Sequence, residues 1–172
     1  MRLRVDSGFT YQGRIAYTLD TTFAGERYIF ADARASALQR LLIVQFERIR
    51  PPSSEVYRYN VDAGQPIGSL HFLENTFAFP GAQKTVTSPR DEAERTNNFL
   101  LSRGFRMPGV WLVTRYVTIG NADRKSEMIV FYMEGHDDLT MQDLYAGEEA
   151  TSVWRGLKPT IAQRARVAFS IE

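Results

Sequence analysis

The two histidines of the chain, His71 and His136, are the side chains best suited to acid–base chemistry near neutral pH. His71 lies three residues before Glu74 in a predicted strand, where residues three apart point to opposite faces and cannot act together. His136 belongs to the polar run 134–138, whose carboxylates could act with it as a general acid and base or bind a metal ion. The same run is typical of a turn between a strand and a helix. The candidate catalytic residues of an enzyme are therefore His71, His136 and Asp138.

Arg115 is the charged residue whose surroundings are most informative. It lies in a predicted hairpin, 110–135, on a face that is otherwise apolar. A register that places Arg115 opposite Val130 puts Tyr132 and Glu134 on the same face. Because an unpaired buried charge costs several kcal/mol, Arg115 must reach water, pair with an acid such as Glu134, or bind an anionic ligand.

An apolar wall with one arginine and a few tyrosine hydroxyls suits a ligand with an apolar body and a carboxylate head. We therefore predict a small soluble binding protein that holds an amphipathic or acidic small molecule. The candidate ligand-binding residues are Arg115, Trp111, Tyr132, Tyr59 and Phe46.

Several classes of enzyme lack their residues in this chain. It has no cysteine, which excludes disulfides, thiolate zinc sites and cysteine nucleophiles. It has no nucleophile elbow, no glycine-rich phosphate loop and no dinucleotide fingerprint. A metal site built on two histidines would require His71 and His136 to meet, so we predict no metal site and can name no cofactor.

Charge and hydropathy bear on partners and location. The 21 basic and 20 acidic residues nearly cancel, and the arginines are scattered, so we expect no nucleic-acid partner. The longest apolar run, Met128–Met133, is far shorter than the roughly 20 residues of a spanning helix. The first residues lack the apolar core of a signal peptide. We expect a cytoplasmic protein with no membrane contact.

Hydrophobic alternation predicts most of the strands. In 9–19 the odd-numbered positions are mainly apolar and the even-numbered ones mainly polar, as in a strand with one buried face. The segment 165–171 has the same alternation and is predicted to be the last strand. The other predicted strands are 27–31, 68–79, 110–119 and 126–135.

Between these strands the pattern is mixed. A short helix over 33–41 followed by a hairpin of 42–50 with 55–62 satisfies cross-strand pairing, although one helix over 33–49 is an alternative. Ser88 and Gly104 delimit a second predicted helix. Further helical segments are predicted after Thr140, as an N-cap, and over 148–155, ended by Gly156 and Pro159.

These elements predict a single mainly β domain, 1–172, of the α+β class. About eight antiparallel strands would form a barrel, which resembles the lipocalin-like barrels in architecture, or an open curved sheet wrapped on the helix that follows Ser88, with three or four short helices in all. Besides the binding protein, two functions stay open: an enzyme with a histidine–carboxylate pair, and an assembly subunit. In the latter, a second copy would cover the hairpin 110–135.

Overall fold

A computed structural model describes residues 2–19, 21–82, 84–89 and 91–172. Its main element is a seven-stranded antiparallel sheet. The strands are β1 (Leu3–Val5), β2 (Thr10–Leu19), β3 (Phe23–Arg34), β4 (Ala37–Ile49), β5 (Gln65–Ile67), β6 (Leu70–Pro80), β7 (Val110–Ile119), β8 (Ser126–His136), β9 (Tyr145–Ala146), β10 (Glu149–Ala150) and β11 (Phe169–Ile171). The α-helices are α1 (Glu92–Ser102), α2 (Met141–Leu144) and α3 (Ser152–Val167), and a 3-10 turn covers Val61–Ala63.

The strand order of the main sheet is β2-β3-β4-β8-β7-β6-β5. Both β2 and β5 are edges with one neighbour each, so the sheet is open and does not close into a barrel. The mainly β, antiparallel prediction is confirmed in this coarser form. Two small sheets, β1 with β11 and β9 with β10, complete the described strands.

The central strands are covered on both faces by helices of the same chain. On one face, Leu100 of α1 packs with Trp111 and Val113 of β7. On the other face, Trp154 and Ile161 of α3 pack with apolar residues of β4, β7 and β8. The hairpin of β7 and β8 is apolar on both faces because it lies in the middle of the sheet.

The prediction of a terminal strand over 165–171 was wrong in its first half. Helix α3 continues to Val167, and only Phe169–Ile171 is a strand. Val167 is 78% exposed, so the alternation of 165, 167, 169 and 171 does not correspond to one buried face. Helix α3 instead buries Ile161 and Ala165 at helical spacing, after the Thr151 side chain caps its first turn.

Pro159 lies inside α3 and does not end the helix as predicted. A proline at this position removes the amide that would bond the carbonyl four residues earlier, which is that of Arg155. Arg155 is exposed, so water can bond this carbonyl. Gly156 is likewise accommodated within the exposed part of the helix.

Of the predictions for 33–62, only the strand over 42–50 was correct, and it belongs to the longer strand β4. Residues 33–41 are not helical: β3 turns directly into β4 through Ala35 and Ser36, both with positive φ. Strand β4 pairs with β3 and β8 and makes no hairpin with 55–62. A central strand buried on both faces is a nearly continuous apolar run, which short windows confuse with a helix.

The other helix boundaries were closer to prediction. Asp91, and not Ser88, is the N-cap of α1, and its side chain accepts a hydrogen bond from the Glu94 amide. Gly104 follows the helix with a φ of 79°, as expected of a C-terminal stop. Thr140 caps α2 and forms a reciprocal capping box with Asp143.

Candidate binding groove

The hairpin of β7 and β8 was predicted correctly, but its register was wrong by one residue. Arg115 lies opposite Phe131 and not Val130. A shift of one residue moves every side chain of a strand to the other face. Tyr132 and Glu134 therefore lie on the face opposite to Arg115.

Glu134 has its own arginine partner, which is not Arg115. The Arg164 guanidinium of α3 donates two hydrogen bonds to the Glu134 carboxylate, at 2.5 and 2.6 Å. The Tyr132 hydroxyl donates a third at 2.6 Å. The two bonds from Arg164 hold α3 against β8, and Glu134 therefore has a structural role.

The predicted ligand-binding residues do not form one site. Trp111 is 1% exposed in the core beneath α1, on the face that also carries Arg115. Phe46 and Tyr132 belong to the core on the α3 face. Tyr59 lies near Glu127 on the α1 face, where its hydroxyl affects the pKa of that carboxyl.

The candidate catalytic histidines lie at opposite ends of the sheet. His71 is exposed at the start of β6, whereas His136 is opposite Val110, which faces Pro80 at the end of β6. The positions of His71 and Pro80 are nine residues apart along β6, so the two histidines are separated by about 30 Å along the strand direction. His136 contacts Asp138 through Nδ1 at 3.2 Å, and Asp138 is exposed. No group of three or more potential metal-ligating residues occurs within the described ranges.

A groove of about 800 Å³ opens on the α3 face, at the end of the sheet where β2 and β4 finish and β8 begins. Ala16 of β2 and Leu70 of β6 both line it. In a flat sheet these strands, five spacings apart, would be about 24 Å from each other. The sheet therefore curves around the groove, and α3 fills the other end of the same concave face.

The groove combines an apolar floor with a polar rim. Phe46 and Met128 form its floor together with small residues of β2 and β3. The rim carries Thr18, Arg48 and Ser126. The complete lining is Ala16, Tyr17, Thr18, Ala24, Gly25, Glu26, Phe46, Glu47, Arg48, Leu70, Thr118, Gly120, Ser126, Glu127 and Met128.

Two polar groups of the lining are available to a ligand. Arg48 is exposed and forms no hydrogen bond or ion pair with any residue that the structure describes. Thr118 is 3% exposed, and its hydroxyl has no partner within the same described part of the chain. By contrast, Glu26 is bound by Arg14 at 2.9 Å and by the Tyr28 hydroxyl at 3.0 Å.

Two carboxylates, Glu47 and Glu127, lie directly opposite each other on β4 and β8, and we call them the carboxylate pair. Both line the groove, but they belong to the face that α1 covers. Glu47 accepts hydrogen bonds from the hydroxyls of Tyr17 at 3.1 Å and Tyr57 at 2.8 Å. Tyr17 reaches it by crossing Gly25, where any β-carbon would lie 2.5 Å from the tyrosine ring.

Glu127 is the less well satisfied member of the carboxylate pair. It is 6% exposed, and its buried Oε2 atom has no hydrogen-bond partner. Burial, and next the charge of Glu47, raise the pKa of Glu127 to about 7. The charge of Arg115 and the Tyr59 hydroxyl act in the opposite direction.

Arg27 and Arg115 supply positive charge on this face. Arg27 donates to Gln45 and to Thr96 of α1 at 2.7 and 2.9 Å, and its guanidinium is 3.4 Å from Glu92. Its burial lowers its pKa, which the charge of Glu92 partly offsets. Arg115 is half-buried, and its Nε atom has no partner.

Residues 53–60, which we call the strap, cover the carboxylate pair without regular secondary structure. The loop between β7 and β8 holds the strap. Arg124 donates to the carbonyls of Tyr57 and Tyr59 at 2.9 and 2.6 Å, and Lys125 donates to the carbonyl of Ser53 at 2.8 Å. Residues 55–62 were predicted to be a strand paired with 42–50, and only the proximity of this segment to Glu47 agrees with that prediction.

Sequence reasoning did not find Arg48, Thr118 or the carboxylate pair. Glu47 and Glu127 each lie within three residues of the end of a long, mainly apolar strand, which is the one signal that sets them apart. That signal becomes informative only when β4 and β8 are known to be neighbours. No local window contains this information.

Comparison with known proteins found no matching family model, no matching curated protein and no matching solved structure. None of the helices within the described residues has the length and hydropathy needed to cross a membrane. Any function must therefore be argued from the residues of the chain itself.

Proposed function

We propose that this chain is a binding protein whose groove holds an amphipathic small molecule with an anionic head. The observation that carries the proposal is the groove of about 800 Å³, which pairs an apolar floor with an unpartnered arginine at its rim. This volume falls within the range of small-molecule sites, which are mostly apolar with a few polar groups that orient the ligand. The apolar body lies on Phe46 and Met128, and the head lies at Arg48.

Charge complementarity favours an anionic head over a cationic one. On the concave face the charge of Glu26 is offset by Arg14, which leaves the charge of Arg48 unpaired. On the other face, Arg27 is paired with Glu92, and the charge of Arg115 acts on Glu127. A guanidinium binds carboxylate, sulfonate and phosphate groups through two parallel hydrogen bonds.

The test uses three probes with the same eight-carbon chain: octanesulfonate, octanol and octyltrimethylammonium. Isothermal titration calorimetry measures affinity, and the methionine methyl resonances locate the site. We expect octanesulfonate to bind most tightly and to shift Met128, whereas Met107 and Met133 on the α1 face stay unchanged. Shifts at Met133 without shifts at Met128, or no binding of any probe, would refute the groove as the site.

Two pairs of variants sharpen this test. Arg48→Ala should weaken the binding of octanesulfonate about tenfold and leave the binding of octanol unchanged. Arg34→Ala, which removes an exposed arginine at the end of β3 away from the groove, should affect neither. Ala16→Trp fills the groove from the edge strand and should weaken every probe. Thr10→Trp, at the other end of the same strand and outside the groove, is its control.

The two other functions predicted from sequence gain no support from the groove. The histidine–carboxylate enzyme would need both histidines, or one of them with a nearby carboxylate, to line one cleft. His136 does contact Asp138 at 3.2 Å, but Asp138 is exposed and neither residue lines the groove. The assembly subunit was inferred from the apolar hairpin 110–135. Helices α1 and α3 of the same chain cover that hairpin, so its composition requires no partner.

A further inference from the structure

We propose that the groove takes up its anionic ligand together with a proton, which Glu127 accepts. This inference rests on the proposed function and concerns the regulation of the same site. Its basis is the position of the carboxylate pair relative to Arg48, together with the unpartnered Glu127 oxygen.

The ligand head and the carboxylate pair occupy neighbouring positions in the sheet. Arg48 is opposite Ser126, and the next rung of the same two strands is Glu47 opposite Glu127. Consecutive residues of a strand are about 3.4 Å apart, and their side chains point to opposite faces. An anion bound at Arg48 therefore lies on the opposite face of the sheet from the carboxylate pair, one rung away along the same two strands.

Glu127 is the member of the pair that accepts the proton. Glu47 already accepts hydrogen bonds from two tyrosine hydroxyls, whereas Oε2 of Glu127 is buried without a hydrogen-bond partner. Two carboxylates that face each other in a buried place cannot both ionise without a large cost. The charged or titratable groups that act on Glu127 include Glu47 from β4, Arg115 from β7, Glu92 from α1, and Tyr57 and Tyr59 from the strap.

The direction of the coupling follows from electrostatics. A negative head at Arg48 makes the ionised form of Glu127 less favourable and so promotes proton uptake. Because linkage is reciprocal, protonation of Glu127 strengthens binding of the anion. The pKa of Glu127, about 7, places this exchange in the neutral range.

The experiment uses octanesulfonate because its head stays charged throughout the pH range, so that the ligand itself does not titrate. Calorimetry at about pH 5.5 and about pH 8.5 should show affinity about tenfold weaker at the higher pH. Repetition near pH 7 in two buffers of different ionisation enthalpy should show net proton uptake on binding. Octanol, which is uncharged, should bind equally at both pH values.

Glu127→Gln identifies the group responsible. This variant should bind octanesulfonate with the same affinity at both pH values and without proton uptake. Glu26→Gln, at a carboxylate of the groove that is paired with Arg14, is the matched control and should keep the pH dependence of the parent.

The outcomes separate this inference from the proposed function. If octanesulfonate binds and shifts the Met128 resonance but its affinity changes less than threefold with pH, the coupling of binding to proton uptake is refuted. The groove then remains supported as the binding site. The coupling is also refuted if Glu127→Gln keeps the pH dependence. If octanesulfonate binds at neither pH, the proposed function fails as well.

Discussion

Glu47 and Glu127 face each other across the pair β4–β8, so that two carboxyl groups project from adjacent strands at one level of the sheet. Side chains directly opposite in an antiparallel pair have β-carbons about 5 Å apart, and like charges there are destabilising. Two tyrosine hydroxyls bind one of these groups, and the other is left with an unpartnered oxygen. This asymmetry makes Glu127 the residue through which pH acts on the fold.

The first prediction concerns stability and pH. Burial raises the pKa of Glu127 from 4.5 to about 7, so between these values the native state holds a proton that the unfolded chain has lost. The free energy of unfolding therefore falls by about 3 kcal/mol in total as pH rises through this range, and it stays constant at higher pH. The free energy of unfolding of Glu127→Gln should equal that of the parent near pH 4.5. Above pH 7 it should exceed that of the parent by up to about 3 kcal/mol.

Urea denaturation at a series of pH values measures this difference. Glu148→Gln, at an exposed carboxylate near β10, serves as the control and should follow the parent at every pH. A Glu127→Gln variant that is no more stable than the parent above neutral pH would contradict the prediction.

The second prediction concerns the strap. Tyr57→Phe removes the hydroxyl that donates to Glu47 at 2.8 Å and leaves the ring in place. A hydrogen bond to a charged group contributes about 1.5–3 kcal/mol, so we expect a loss of about 2 kcal/mol in the free energy of unfolding. Amide hydrogen exchange should also become faster at Tyr57, whose amide bonds the Arg124 carbonyl.

Tyr145→Phe provides the comparison for the strap, because the Tyr145 hydroxyl makes no hydrogen bond among the described residues. It should change the free energy of unfolding by less than about 0.5 kcal/mol. Equal effects of the two substitutions would mean that the bond to Glu47 does not hold the strap.

The third prediction concerns the attachment of α3 to the sheet. Arg164→Ala leaves the Glu134 carboxylate, whose side chain is 11% exposed, without its arginine. We expect a loss of about 2 kcal/mol, because an uncompensated buried charge is costly. Arg166→Ala breaks a longer contact of 3.2 Å with Glu74 and should cost less than about 1 kcal/mol.

A second substitution separates charge from packing in this contact. If the cost arises from the unpaired carboxylate, Glu134→Gln should recover part of the stability of Arg164→Ala. Thermal or urea denaturation of the two single variants and the double variant gives the coupling energy. Strict additivity would show that the two side chains have no net interaction and would contradict the prediction.

The strands of the sheet could be predicted from sequence where local pattern determines them. The alternation in 9–19 and the apolar hairpin 110–135 correspond to β2, β7 and β8. The register of that hairpin could not be predicted, because both faces of β7 and β8 are apolar and the hydrophobic pattern does not distinguish Val130 from Phe131 as the partner of Arg115. This one-residue difference placed Tyr132 and Glu134 on the wrong face.

The ends of the chain show a second limit of local pattern. Residues 165–171 alternate as a strand does, but Ala165 and Phe169 are also one helical turn apart. The structure uses both patterns in succession, since α3 ends at Val167 and β11 begins at Phe169. Tertiary contacts with β1 decide the boundary, and the sequence of the segment does not contain them.

The turn between β3 and β4 carries the last prediction. Arg34 and Ala37 are paired, so Ala35 and Ser36 form a two-residue loop in which φ is 46° and 67°. Positive φ at both central residues is the geometry of a type I′ turn, which favours Asn-Gly. Residues other than glycine and asparagine lose about 1–2 kcal/mol each in this region. The double substitution Ala35→Asn with Ser36→Gly should therefore increase the free energy of unfolding by about 1–2 kcal/mol.

The effect should depend on this turn conformation and not on glycine content. Ala37→Gly, one position later at the start of β4, is a buried strand position and should reduce stability by about 1 kcal/mol. Urea denaturation compares the variants, and ligand binding should stay unchanged because this turn is at the end of the sheet away from the groove. Destabilisation by the Asn-Gly pair would contradict the hairpin and favour the helix over 33–41 that the sequence alone predicts.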